Sequence, residues 1–159
     1  IDLSKSELSE LPEDLDKCIK ATKLDVSSNK LTEINIFPPN IQVLECSINN
    51  ITHLDNLPDT LLALYCSTNK ITQLDNLPPN LVNLICDNNE LTHLDNLPAN
   101  LKMLYCSYNK ITQLDNLPLK LKILNCRENP LQQLNNLPLS IKNLSTGKEI
   151  LTNIKISYQ

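Results

Sequence analysis

Glycine occurs once in the 159 residues, at Gly147, and tryptophan is absent. One glycine excludes a glycine-rich phosphate-binding loop, because such a loop needs several residues without a Cβ around the anion. No run of about 18 apolar residues is present, so no helix of this chain is expected to cross a membrane. Positive charge is in deficit: 14 lysines and arginines stand against 18 acidic residues, giving a formal net charge of −4 and a pI near 5.1. The lysines are scattered, which argues against nonspecific binding of nucleic acid by phosphate neutralisation. Neither nucleic acid nor membrane is therefore expected as a partner. The six cysteines contain no C-x-x-C spacing, and no nucleophile, base and orienting group stand out as a set. No catalytic residue, metal ligand or cofactor site is assigned, and an enzyme is not expected.

What the chain has in abundance is a period. Asparagine returns every twenty residues at Asn29, Asn49, Asn69, Asn89, Asn109 and Asn129, and from Asn49 onward a cysteine stands three residues before it, at Cys46, Cys66, Cys86, Cys106 and Cys126. Val26 holds that place in the Asn29 repeat. Leucines at 44, 64, 84, 104 and 124 lie two before each cysteine, and Ile41, Leu61, Leu81, Leu101 and Leu121 lie three before those. Each repeat reads L-x-x-L-x-C-x-x-N-x-L/I, followed by a tail such as Thr72-Gln73-Leu74-Asp75-Asn76-Leu77-Pro78. A fixed period of this length marks a solenoid, whose units cannot bury an apolar face alone and must stack on one another.

This pattern resembles the leucine-rich repeat family, with cysteine in place of one consensus leucine. The twenty-residue length and the Leu-Pro ending are similar to the short repeats of bacterial effector proteins, and the wording C-S-x-N-x-I-T-x-L-D-N-L-P resembles repeats multiplied in giant viruses of amoebae. The resemblance implies a curved horseshoe with a parallel β-sheet on its concave face and extended or 3-10 segments on its convex face. One domain, residues 1–159, is expected, with about eight rungs. Ile1 enters in mid-repeat, so the first rung is read as truncated and atypical, and the last, through Leu144, Thr146, Glu149, Leu151 and Ile154, as degenerate. Between the first two rungs, Pro12 to Ala21 carries acids behind a proline and is expected to hold a short helix.

Within a rung, the leucine and cysteine should point into the core from a short strand, with the alternate side chains on the other face. The asparagine is expected to turn inward and satisfy backbone groups of the bend. Stacked parallel strands aim the cysteines alike, so free buried thiols are expected rather than disulfides, which favours a reducing compartment, host cytoplasm for a viral or effector protein. His53 and His93 are separated by a whole rung, about 10 Å, which is too far for one metal ion. Asp55, Asp75, Asp95 and Asp115 form a stripe in which each carboxylate is expected to accept backbone N–H groups of its own turn. Thr52, Thr72, Thr92 and Thr112 form a matching hydroxyl row.

Outward positions beside the strands carry three of the four tyrosines. Contiguous exposed apolar patches mark interaction sites, and tyrosine is a favoured interface anchor. Tyr65, Ile85, Met103, Tyr105 and Tyr108 are therefore the candidate partner-binding residues. The competing reading is ordinary cross-strand packing on a sheet face. The resemblance implies a protein partner, a host protein if the source is a virus or effector. Its alternatives are a recognition module of a larger enzyme such as a ubiquitin ligase, or a solenoid that self-associates through exposed rungs.

Overall fold

The computed structural model describes residues 1–147 and 156–158. Six strands, each twenty residues after the last, open the chain: β1 (Lys23–Asp25), β2 (Val43–Glu45), β3 (Ala63–Tyr65), β4 (Asn83–Ile85), β5 (Met103–Tyr105) and β6 (Ile123–Asn125). β7 (Leu134–Leu137) lies on a return path, followed by β8 (Asn143–Ser145) and β9 (Ile156–Tyr158). All but β7 and β9 form one parallel sheet in the order β1-β2-β3-β4-β5-β6-β8, and β7 pairs with β9 in a second. An isolated bridge between Asp2 and Asp25 adds the first repeat to the sheet edge. Register never slips within the large sheet: Leu24, Leu44, Leu64, Leu84, Leu104, Leu124 and Leu144 are partners in turn. A strict twenty-residue spacing has no other parallel solution that keeps every leucine on the core side, since a one-residue slip would turn each of them to solvent.

Behind the sheet the core is a set of ladders. The leucines from Leu24 to Leu124, the five repeat cysteines, and Ile41, Leu61, Leu81, Leu101 and Leu121 are wholly buried. Truncating one such leucine to alanine should cost about 2–5 kcal/mol. The short helix expected near Pro12 is present as one 3-10 turn, Glu13–Lys17, with Leu15 buried beneath it. Elsewhere the return paths are extended and punctuated by the Leu-Pro step. After each proline the chain makes a tight turn: the carbonyls of Pro58, Pro78, Pro98 and Pro118 accept the N–H of Leu61, Leu81, Leu101 and Leu121 at 2.9–3.1 Å. The turn delivers the buried aliphatic residue and leads straight into the next strand.

The near-absence of glycine has a structural consequence that the composition alone does not reveal. Thirteen non-glycine residues among those described adopt left-handed backbone. Five are the asparagines of the Asp-Asn-Leu-Pro or Asn-Asn-Leu-Pro tail, Asn56, Asn76, Asn96, Asn116 and Asn136, and asparagine is the non-glycine residue best suited to that conformation. Another six, Ser28, Ile48, Thr68, Asn88, Tyr108 and Glu128, immediately precede the ladder asparagines. Ile48 and Thr68 are β-branched and carry steric strain there.

This assignment corrects the expected role of the aspartate stripe. Among the described residues, Asp55, Asp75, Asp95 and Asp115 accept no backbone N–H; the asparagine that follows each makes the turn through its own φ angle. Asp55 lies 3.9 Å from the Nε2 of its own His53, and Asp75 lies 3.8 Å from the Nε2 of His93 on the next rung. The part of the terminal repeat expected at Glu149, Leu151 and Ile154 lies outside the described residues.

Candidate protein-binding face

The ladder asparagine holds the face in place. Asn69 donates one amide hydrogen to the Cys66 carbonyl of its own rung at 3.1 Å and the other to the Cys46 carbonyl of the rung before at 3.0 Å. Its Oδ1 accepts the Ile51 N–H, also from the rung before, at 3.0 Å. Asn49, Asn89, Asn109 and Asn129 repeat the arrangement with their own neighbours. At Asn29 the earlier rung supplies two N–H groups, from Ser6 and Leu8, and the Leu3 carbonyl. The inward turn of this side chain follows from the sequence pattern. Its reach into the preceding rung does not, because only the stacked coordinates show which carbonyl stands opposite.

The cysteines below the sheet are all free. Burial pushes their thiols up, Cys66 and Cys126 to about 12, so they remain protonated and inert near neutral pH. Cys86 points its thiol at the Tyr105 carbonyl, 3.3 Å away. Among the described residues no group of three or more His, Cys, Asp and Glu side chains is placed to hold a metal ion.

Above the sheet, register brings Tyr65, Ile85 and Tyr105 side by side in one row, continued at its ends by Glu45 and Asn125. Met103 belongs to the parallel row, with Asn83 and Ile123 as its neighbours. All four candidates on strands are half-buried, consistent with contact across neighbouring strands, and keep part of their surface in solvent. Ala63, in the Met103 row, is covered outright. Tyr108 sits elsewhere: it lies in the left-handed turn beyond β5, 61% exposed, in a row with Thr68, Asn88 and Glu128 at the lip of the sheet. The structure thus groups four of the five candidates on the strands and sets the fifth on the rim.

Charged groups stand beside the row. At the N-terminal end Lys23 and Glu45 form an ion pair at 2.7 Å. Beyond β4, on the middle rung of the row, Asp87 is half-buried; desolvation pushes its carboxyl up although its Oδ1 accepts the Ser107 N–H at 2.6 Å. Ser107 itself is buried. A shallow hollow opens beside Tyr105, lined by Ile123, Asn125, Arg127, Asn143 and Ser145.

A solved structure of YopM from Yersinia pestis, described as a leucine-rich effector protein, matches this solenoid with a TM-score of 0.81 at 31% identity, covering 94% of this chain and 45% of YopM. The chain has the leucine-rich repeat fold. YopM from Yersinia enterocolitica WA-314 matches with a TM-score of 0.71 at 31% identity, over 94% of this chain and 39% of that one. The functional domain of InlJ from Listeria monocytogenes, which includes a cysteine ladder, matches with a TM-score of 0.65 at 27% identity, over 89% of this chain and 42% of that domain's chain. The leucine-rich repeats described here span less than half the length of these chains. No protein-family model matches the sequence, and no curated protein sequence matches it.

Proposed function

We propose that this leucine-rich repeat chain is a non-catalytic interaction module that binds a protein partner, a host protein, through its concave face. The observation that carries the reading is the row Tyr65, Ile85 and Tyr105, held in register on three consecutive strands with Met103 beside it. Large, semi-rigid side chains on a fixed sheet lose little conformational entropy on binding, and a repeated concave surface offers them in an extended line. The hollow beside Tyr105 adds a polar and cationic margin through Asn125 and Arg127. Tyr108, at the lip, extends the same surface outward. Likeness to YopM, an effector with the same repeat, supports an interaction role of this kind.

The test is a paired variant. Tyr105→Ala with Ile85→Ser should abolish capture of a partner from host lysate while leaving the melting temperature nearly unchanged, since anchors at an interface centre cost about 2 kcal/mol or more when truncated. His53→Ala with His93→Ala, on the flank, should leave capture intact. A partner retained at full strength by the first variant would return these side chains to cross-strand packing.

A further inference from the structure

β2 to β6 and β8 are each preceded by the same tight turn, a proline, two residues at the tip, and then an aliphatic residue that packs on the core. Along this rim the residue after the proline is Pro39, Asp59, Pro79, Ala99, Leu119 and Leu139 in successive rungs. Leu119 and Leu139 are 70% and 77% exposed, the most exposed large hydrophobic side chains among the described residues. β6 and β8 are neighbours in the sheet, so the two turns that lead into them stand about one strand spacing, 4.8 Å, apart.

Lysines surround the pair. Lys120 shares the tip with Leu119, and Lys122 and Lys142 occupy one position just before β6 and β8, aligned with Lys102 by the backbone bonds Lys122 N–H to Lys102 carbonyl and Lys142 N–H to Lys122 carbonyl, both 2.8 Å. All four are exposed. None is paired with a carboxylate among the described residues; Lys120 donates to the Asn100 side chain at 2.8 Å instead. The segments 98–103, 118–123 and 138–143 contain no aspartate or glutamate, whereas earlier rungs place Asp59, Leu62 and Val82 at these positions. A chain of net charge −4 thus gathers four uncompensated cations and its two most exposed leucines on one edge.

We propose that this rim docks the protein on an anionic lipid surface, with Leu119 and Leu139 entering the headgroup layer and Lys102, Lys120, Lys122 and Lys142 lying on the anionic headgroups. The leucines protrude from turn tips, a shape that suits a soft surface able to close around them. Flanking ammonium groups on long apolar stems can meet headgroups in the same plane. The expectation of no membrane partner rested on the absence of a spanning run, which bears on crossing a bilayer and not on adsorption to one. The proposal is independent of the concave-face reading, because none of these side chains lies on the strands.

Sedimentation with vesicles tests it. The chain should bind vesicles of phosphatidylcholine mixed with phosphatidylserine, not phosphatidylcholine alone, and binding should fall as salt rises. Leu119→Ser with Leu139→Ser should weaken partitioning about tenfold or more, and each of Lys122→Gln and Lys142→Gln about fivefold, with thermal transitions unchanged because these side chains are exposed. Ile48→Asn, an exposed aliphatic outside the rim, should bind fully. Three results would overturn the proposal: no binding to the anionic vesicles at low salt, binding that the leucine variant retains in full, or capture of poly-glutamate through the same lysines without vesicle binding.

Discussion

Replacing Asn69 by alanine removes a clamp between two rungs, and its cost can be worked from the partners left behind. The Ile51 N–H has no other acceptor and becomes a buried orphan, which costs about 1–3 kcal/mol. The carbonyls of Cys46 and Cys66 each lose one of two donors but keep another, from Asn49 at 3.1 Å and Asn89 at 3.0 Å. Those losses are smaller, within the range of about 0.5–1.5 kcal/mol of an ordinary net hydrogen bond. The sum is about 2–6 kcal/mol. Asn76→Ala is the matched control: Asn76 is exposed, and its replacement leaves alanine at a φ of 57°, a strain of about 1 kcal/mol. Urea unfolding followed by circular dichroism should place the Asn69 variant's midpoint clearly below that of the Asn76 variant. Amide exchange should quicken at Ile51. Because solenoids are held by nearest-neighbour interfaces, the damage should concentrate at the two rungs Asn69 joins. Equal midpoints, together with an Ile51 amide still protected in the Asn69 variant, would refute the clamp.

Three further outcomes follow from the same structure. Ile48→Asn should raise stability by about 1 kcal/mol, since a β-branched residue at a φ of 60° and 56% exposure gives way to the residue found at the equivalent Asn88; a lower melting temperature would count against strain there. A thiol reagent should leave Cys46, Cys66, Cys86, Cys106 and Cys126 unmodified in the native protein and label all five after denaturation without reductant; because their folded pKa values lie above the unfolded value, the stability they contribute is present below about pH 9 and lost as pH rises toward about 12, so alkaline unfolding should track thiolate absorbance. Asp87→Asn should stabilise at neutral pH: the folded carboxyl titrates above its unfolded value, so stability falls as pH rises between the two, and the gain of the variant should shrink in acid below them.

Periodicity made most of the fold legible. The leucine, cysteine and asparagine ladders fix strand position, parallel register and inward direction, because a twenty-residue period has to put like residues on like sites. The aspartate stripe was misread for a definite reason: asparagine and aspartate sit side by side in each Asp-Asn-Leu-Pro tail, both suit turns, and only φ tells which one makes it. The left-handed positions before the ladder were illegible because Ser28, Ile48, Thr68, Asn88, Tyr108 and Glu128 share no chemistry. The same turn moved Tyr108 off the strands. The row Tyr65, Ile85 and Tyr105 was readable from spacing, while its half-burial depended on the width of neighbouring side chains. The change from Asp59 to Leu119 and Leu139 along the rim stands in the sequence, but its meaning appears only when the lysines are seen beside it.

The proposed seat of the protein partner is the concave row. A photo-crosslinking amino acid placed at Tyr105, on the sheet, and separately at Gln73, on the return path, tests it in host lysate. A discrete crosslinked protein is expected from position 105, lost when Tyr65→Ala is added, and none from position 73. The same crosslinked protein from position 73, with none from position 105, would contradict it.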